Sequence, residues 1–186
     1  MKKLAILLAV ALEVAACGCA TNNTNQTSAI ATTANGGFWE AQLTGGTGQA
    51  SLLNFNVSFS VNTTGPIDVT GFSFFNQGAC FSTIANSETI SGTTTLSTAN
   101  NGTVTGPFKM LVKSTSSSNA LQLTGTLTGT SNGTTTTTGS LSNGVVIGTW
   151  TLNSSDSNCT GGGSSAPTGT FVMCQGAATC STTSLP

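Results

Sequence analysis

Apolar and polar side chains alternate strictly along one stretch in the first half of the chain. Its apolar positions are Leu53, Phe55, Val57, Phe59 and Val61, and an asparagine or a serine separates each from the next. Because successive side chains of a β-strand point to opposite faces, this stretch predicts a strand with one apolar and one polar face. Such a strand must bury its apolar face against similar strands, which favours an antiparallel β domain.

The same alternation recurs along the rest of the chain. The apolar positions are Trp39, Ala41, Leu43, Phe108, Met110, Val112, Leu121, Leu123, Leu127, Val146, Trp150, Leu152, Phe171 and Met173. Asn-Gly pairs at 101–102, 132–133 and 143–144 separate such runs, and this pair favours tight hairpins because both residues tolerate positive φ. We therefore predict an all-β fold, an antiparallel meander of about eight or nine strands that closes into a barrel or a curled sandwich.

Two local departures from this pattern carry predictions of their own. Ile67 and Val69 give way to Phe72 and Phe74 across Gly71, which predicts a β-bulge where the inward side changes. Residues 134–138 are all threonine, a composition that suits a strand but contributes little to a core. We therefore expect residues 134–141 to lie at an edge of the sheet.

The amino terminus is organised like an export signal. Lys2 and Lys3 precede an apolar segment at 4–12, and small residues at 14–16 precede Cys17. The apolar segment is too short to cross a bilayer as a helix. We therefore expect residues 1–16 to be a signal peptide that is removed on export.

Val14-Ala15-Ala16-Cys17 resembles the lipobox of bacterial lipoproteins. The resemblance implies that Cys17 becomes the first residue of the mature chain and carries acyl chains, palmitate among them, which hold it on a membrane. In that class an aspartate after the cysteine is associated with inner-membrane retention. Gly18 stands there instead, so the resemblance implies the outer membrane of a bacterial cell envelope. The alternative is a cut after Ala20, which would give a secreted or periplasmic protein without lipid.

The remaining chain divides into two parts. Residues 17–36 carry no charged side chain and few apolar ones, so we expect a lipidated amino terminus followed by a flexible tether. Residues 37–186 have the length of a single β domain with a core of its own.

Charged side chains make up only 5% of the chain, against about a quarter in ordinary globular proteins. Beyond Cys17, two lysines and four carboxylates show no cluster that would neutralise phosphates, so nucleic acid is not an expected partner. The chain has no histidine, arginine or tyrosine. Without histidine and arginine, most catalytic arrangements cannot be assembled, and we expect neither an enzyme nor a cofactor.

The four carboxylates beyond Cys17 are Glu40, Asp68, Glu88 and Asp156. Glu40 and Asp68 fall on the polar faces of predicted strands, whereas Glu88 and Asp156 fall in predicted loops. A glycoside hydrolase needs two carboxyl groups about 5–9.5 Å apart, and nothing in this spacing requires that. We expect all four to be solvated, with a carboxylate-dependent hydrolase as the alternative.

Four cysteines follow the tether, namely Cys80, Cys159, Cys174 and Cys180. In an exported chain they are expected to form disulfides. The interpretation that we favour joins Cys159 to Cys174 and Cys80 to Cys180, and the alternative joins Cys174 to Cys180. A zinc site would need closer spacing or histidine, so no metal is expected.

Gly37-Phe38-Trp39 resembles the Gly-x-Trp that opens the first strand of lipocalins and related calycin barrels, and Gly148-Thr149-Trp150 repeats it. The resemblance implies an internal pocket for a small hydrophobic ligand. Residues that would line such a pocket, or else fill a solid core, are Trp39, Phe55, Phe59, Phe108 and Trp150.

Together these patterns favour a non-enzymatic, lipid-anchored envelope protein whose β domain has a binding or a structural role. A lipocalin-like carrier of a small hydrophobic molecule is the alternative.

Overall fold

The computed structural model describes residues 37–61, 65–82, 84, 87–98, 102–131 and 141–176. Their regular structure is almost entirely β, as predicted, and all nine strands belong to one sheet. The strands are β1 (Phe38–Gly45), β2 (Asn54–Val61), β3 (Ile67–Asn76), β4 (Thr89–Thr94), β5 (Ser97–Thr98), β6 (Thr103–Lys113), β7 (Ala120–Ser131), β8 (Leu141–Asn153) and β9 (Thr168–Gln175). A 3-10 turn at Gly48–Leu52 and a short helix, α1 (Ser157–Thr160), complete the elements.

The strands follow the order β3-β2-β1-β9-β8-β7-β6-β4, and β5 also pairs with β6. Every neighbouring pair is antiparallel. The two ends of this order meet at a bridge between Pro66 and Thr93, where the amide of Thr94 donates to the carbonyl of Gly65 at 2.6 Å. The sheet is therefore nearly closed into a barrel, which was one of the two predicted architectures.

Alternation places the apolar side chains inside this barrel. Trp39 lies opposite Val57, and Ala41 lies opposite Phe55 and Met173; all five are buried. The largest fully buried side chains are Trp39, Trp150, Phe55, Phe108, Phe171, Leu53, Met110, Leu121, Leu123, Leu127, Leu152 and Met173. The predicted strand faces are confirmed, apart from that of Val61, whose side chain lies outside the described part of the structure.

Glycines make room for the two tryptophans. A Cβ placed on Gly144 would overlap the ring of Trp39, and one placed on Gly46 or Gly169 would lie 2.6 Å from atoms of the Trp150 ring. Real Cβ atoms do not approach so closely, so each indole packs directly on a backbone that carries no side chain. The two largest side chains therefore fit at opposite ends of the barrel.

The predicted bulge at Gly71 is confirmed. Gly71 lies opposite Ser58 and Val69 lies opposite Phe59, which leaves Thr70 without an opposite residue on β2. The extra residue brings both Val69 and Phe72 to the inner side of β3.

The predicted hairpin at Asn143-Gly144 is wrong, because both residues lie within β8. Ser142 pairs with Thr130 and Val145 pairs with Thr128, so the register shifts between them, and Asn143 has a φ of 53°. The tolerance of positive φ that favours Asn-Gly in a turn serves here to form a bulge.

Three further predictions lie wholly or partly outside the described residues. They are the turns at 101–102 and 132–133 and the edge segment 134–141. Of these residues, Gly102 has a φ of 81°, and Leu141 begins β8.

Threonine hydroxyls cover much of the outer surface. Thr124, Thr149, Thr170 and Thr44 lie opposite one another across β7, β8, β9 and β1, and all four are exposed. The hydroxyl oxygens of Thr44 and Thr170 are 2.7 Å apart. Rows of hydroxyls thus supply the polar surface that charged side chains supply in most proteins.

The two tryptophans give a matched test of this core. Nε1 of Trp150 donates to the Thr44 carbonyl at 3.0 Å, whereas Nε1 of Trp39 is buried without a hydrogen-bond partner. Trp150→Phe removes ring volume and a hydrogen bond, but Trp39→Phe removes only ring volume. We expect Trp150→Phe to lower the free energy of unfolding by about 1 kcal/mol more than Trp39→Phe. Urea denaturation measures this difference, and an equal loss in both variants would contradict it.

Candidate functional site

The strand connections gather at two ends of the barrel. Residues 46–53, 77–88, 114–119 and 154–167 connect strands at one end, which we call the disulfide end; within them, 83, 85 and 86 lie outside the described residues. β1 begins and β9 ends at the other end, which we call the amino-terminal end. The disulfide end contains the candidate site.

A disulfide joins Cys80, between β3 and β4, to Cys159 in α1, with the Cα atoms 4.9 Å apart. The favoured pairing of Cys159 with Cys174 and of Cys80 with Cys180 is therefore wrong. The physical reason is strand length: Cys174 lies opposite Glu40 near the amino-terminal end, six residues or about 20 Å beyond the start of β9. A disulfide requires Cα atoms within about 7 Å.

Cys174 is also disulfide-bonded, and its partner lies outside the described residues. The alternative prediction, which joined Cys174 to Cys180, leaves Cys80 for Cys159, and that bond is present. Cys17, the predicted lipidation site, and Cys180 both lie outside the described residues.

Backbone and side-chain contacts fix the disulfide end. The Asn119 side-chain amide donates to the Cys80 carbonyl at 2.5 Å, and the Thr47 hydroxyl donates to the Thr160 carbonyl at 2.8 Å. Gly48 and Gly161 have φ values of 59° and 73°, and their backbones are in such close contact that neither position has room for a Cβ. Together with the disulfide, these contacts tie all four connections to one another.

Asp156 begins the short helix of this end. Its Oδ1 accepts a hydrogen bond from the amide of Asn158 at 2.9 Å, the usual contact of an N-cap residue. The sequence correctly placed Asp156 in a connection, and its carboxylate has a structural role there.

A polar pocket of about 460 Å³ opens beside α1. Its lining residues are Ser118, Asn153–Ser155, Thr160 and Gly163–Ala166, and the hydroxyls of Ser118 and Ser155 are 3.0 Å apart. These groups are neutral hydrogen-bond donors and acceptors. The pocket can therefore contact hydroxyl or amide groups of a ligand, but it supplies no charge or nucleophile activated by a base.

The four carboxylates do not converge on this pocket. Glu40 lies on the outer side of β1, where Gln42 donates to it at 3.0 Å, and Asp68 is exposed on β3. Four pockets in the described part of the chain are each lined by at most one carboxylate.

Glu88 lies in the connection between β3 and β4, as expected, but it is buried rather than solvated. It is only 8% exposed, and it points to the inner side because it is in phase with Ile90 on β4. Oε1 accepts from the Ser82 amide at 3.2 Å and Oε2 from the Ser87 hydroxyl at 3.0 Å. Extending the alternation of β4 back from Ile90 would have predicted this inward orientation.

The five residues proposed as either pocket or core belong to the core. Trp39, Phe55, Phe59, Phe108 and Trp150 are each at most 2% exposed. Trp39 stacks on Phe59 with ring centroids 5.0 Å apart, and Phe59 contacts Phe108 at 6.0 Å. These contacts favour the interpretation in which the side chains fill the interior, while the lipocalin-like carrier stays a prediction.

Within the described ranges, no group of three or more histidine, cysteine, aspartate or glutamate side chains could hold a metal ion. The same ranges contain no helix with the length and apolarity needed to cross a bilayer. Comparison with family models, with curated proteins and with solved structures found no match to this chain.

The Cys80–Cys159 bond is expected to contribute strongly to stability. It links positions 79 residues apart, and closing a loop of that length in the unfolded chain stabilises the folded state by about 4 kcal/mol in the chain-entropy account. We expect Cys80→Ser combined with Cys159→Ser to lower the free energy of unfolding by about that amount in urea titrations.

A peptide digest without reductant tests the disulfide pairing itself. It should recover Cys80 joined to Cys159, and recovery of Cys159 joined to Cys174 would contradict the assignment.

Proposed function

We propose that this protein is a non-enzymatic component of a bacterial cell envelope, held on the outer membrane by lipid on Cys17, with a β domain that serves a binding or structural role. The observation that carries the proposal is the combination of a lipobox-like Val14-Ala15-Ala16-Cys17 with a barrel whose two ends differ. Lipid on Cys17 would attach the protein through the residues that precede β1.

The positions of the two ends support this arrangement. β1 starts at Phe38, so a tether of residues 17–36 joins the domain at its amino-terminal end. The four connections of the disulfide end then lie on the side of the barrel farthest from the anchor. This end would be the part of the molecule that is presented to the surroundings.

The packed interior supports a surface role over carriage of a ligand inside the barrel. Trp150 and Phe171, together with the stacked pair of Trp39 and Phe59, fill the interior with almost no exposure. Ligand pockets of carrier proteins are concave sites of several hundred Å³. Here the space of that size lies at the surface beside α1.

The surface chemistry supports contacts with neutral polar partners. The pocket beside α1 presents serine, threonine and asparagine side chains, and the barrel wall presents the threonine row Thr124, Thr149, Thr170 and Thr44. Such groups exchange hydrogen bonds with hydroxyls and amides without the steep salt dependence of charged interfaces.

Replacement of Cys17 tests the anchor, with Cys19 as a matched control. We expect Cys17→Ser to move the protein from the membrane to the soluble fraction, because no acyl chain can then be attached. Cys19→Ser should leave the protein on the membrane. Fractionation of a bacterial host followed by immunoblotting measures both variants.

Mass spectrometry of the wild-type protein completes this test. We expect its amino-terminal peptide to begin with acylated Cys17. A peptide that begins with unmodified Thr21 would show a secreted protein and would contradict the anchor.

A further inference from the structure

A seam separates β3 from β4 in the nearly closed barrel. Among the described residues, pairing between these strands is confined to the bridge of Pro66 with Thr93. Next to this bridge the strands are close, because a Cβ on Gly92 would lie 2.5 Å from Cδ1 of Ile67. Toward the disulfide end, the described residues of β3 and β4 form no further strand pairing with each other.

A pocket of about 280 Å³ occupies the open part of the seam. Its lining residues are Val69, Thr70, Gly71 and Phe72 from β3, with Glu88 and Ile90 from the β4 side. Val69 and Ile90 pack against the core but remain partly exposed. The bulge that leaves Thr70 unpaired turns both Val69 and Phe72 toward the barrel interior. The pocket lining is therefore mixed, with apolar residues beside polar ones and a single carboxylate.

The Glu88 carboxylate retains capacity for further hydrogen bonds. An ionised carboxylate offers about four acceptor positions, and the Ser82 amide and the Ser87 hydroxyl use two of them. Both donors are neutral. Lys113 on β6 lies opposite Thr89 on β4, and the Lys113 side chain is exposed. Neither Lys109 nor Lys113 forms an ion pair with Glu88. A carboxylate that is 8% exposed and has no cationic partner in the described part of the chain favours a ligand that supplies positive charge.

We propose that this seam pocket binds a primary alkylammonium group. The ammonium would donate to the free acceptor positions of Glu88, and the alkyl chain would lie between the side chains of Phe72 and Ile90. The same chemistry is available from a free amine or from a lysine side chain of a partner. The inference goes beyond the proposed function and does not depend on the anchor at Cys17.

Calorimetric titration of the full chain with its disulfides intact tests the proposal. The probes are n-hexylamine, n-hexanol and n-hexanoate, which share an alkyl chain and differ in head group. We expect saturable binding of n-hexylamine, binding of n-hexanol at least tenfold weaker, and no saturable binding of n-hexanoate. Equal affinity for the amine and the alcohol, or no binding of the amine, would overturn the proposal.

Glu88→Gln removes the charge with little change in shape and should weaken n-hexylamine binding at least tenfold. Asp68→Asn is the matched control, because it removes an exposed carboxylate from β3, the strand on the other side of the seam, and it should leave the affinity unchanged. Thermal unfolding of each variant checks that it is folded. Unchanged affinity in folded Glu88→Gln would refute the assignment.

If Glu88→Gln does not fold, Ile90→Ala keeps the proposal open to refutation. It shortens the apolar wall, so n-hexylamine should bind more weakly while ethylamine, which does not reach that wall, is unaffected. Unchanged n-hexylamine affinity would overturn the site.

A second titration, with Nα-acetyl-lysine methylamide, distinguishes the two sources of the alkylammonium group. Binding of this probe supports a lysine side chain of a partner, and binding of n-hexylamine alone supports a free amine.

Discussion

The bridge between Pro66 and Thr93 joins the two ends of the strand order, and the buried state of the inner side chains depends on that closure. An open sheet of nine strands would expose one apolar face to water, since alternation gives every strand such a face. Closure brings the inner faces of β2, β6 and β9 around one centre, where Phe59 and Phe108 are in contact. Gly92 makes this possible because no side chain at that position holds β4 away from Ile67.

The scarcity of charged side chains is compatible with this fold because threonine hydroxyls supply the polar outer surface instead. Two lysines and four carboxylates beyond Cys17 cannot cover a barrel of this size. Threonine suits the exposed side of a strand, since its branched side chain fits the pleated surface and its hydroxyl remains available to water. The row from Thr44 to Thr124 crosses four adjacent strands in register. Among the described residues, Glu88 is the one buried carboxylate against this neutral background.

The sequence predicted the features that follow from local periodicity. The strand faces of Trp39 and Phe55 and the bulge at Gly71 depend on residues close together in the chain, so they could be derived without a structure. The disulfide pairing could not, because the approach of Cys80 to Cys159 depends on which connections share an end of the barrel. Asn143-Gly144 was interpreted as a hairpin turn for a related reason. The tolerance of positive φ can be read from these two residues alone, whereas the space that Gly144 leaves for the Trp39 ring depends on the tertiary fold.

The covalent bond at the disulfide end also constrains the seam. Cys80 lies in the connection that leads from β3 to Glu88, and the two groups that donate to Glu88, the Ser82 amide and the Ser87 hydroxyl, belong to the same connection. The bond to Cys159 ties this connection to α1, which the Thr47 hydroxyl holds against the connection between β1 and β2. Disulfides persist in oxidising compartments and are rare in the cytosol. The position of Glu88 in the seam is therefore supported by a bond that persists under oxidising conditions, so the geometry of the pocket is physically coupled to the redox state of its surroundings.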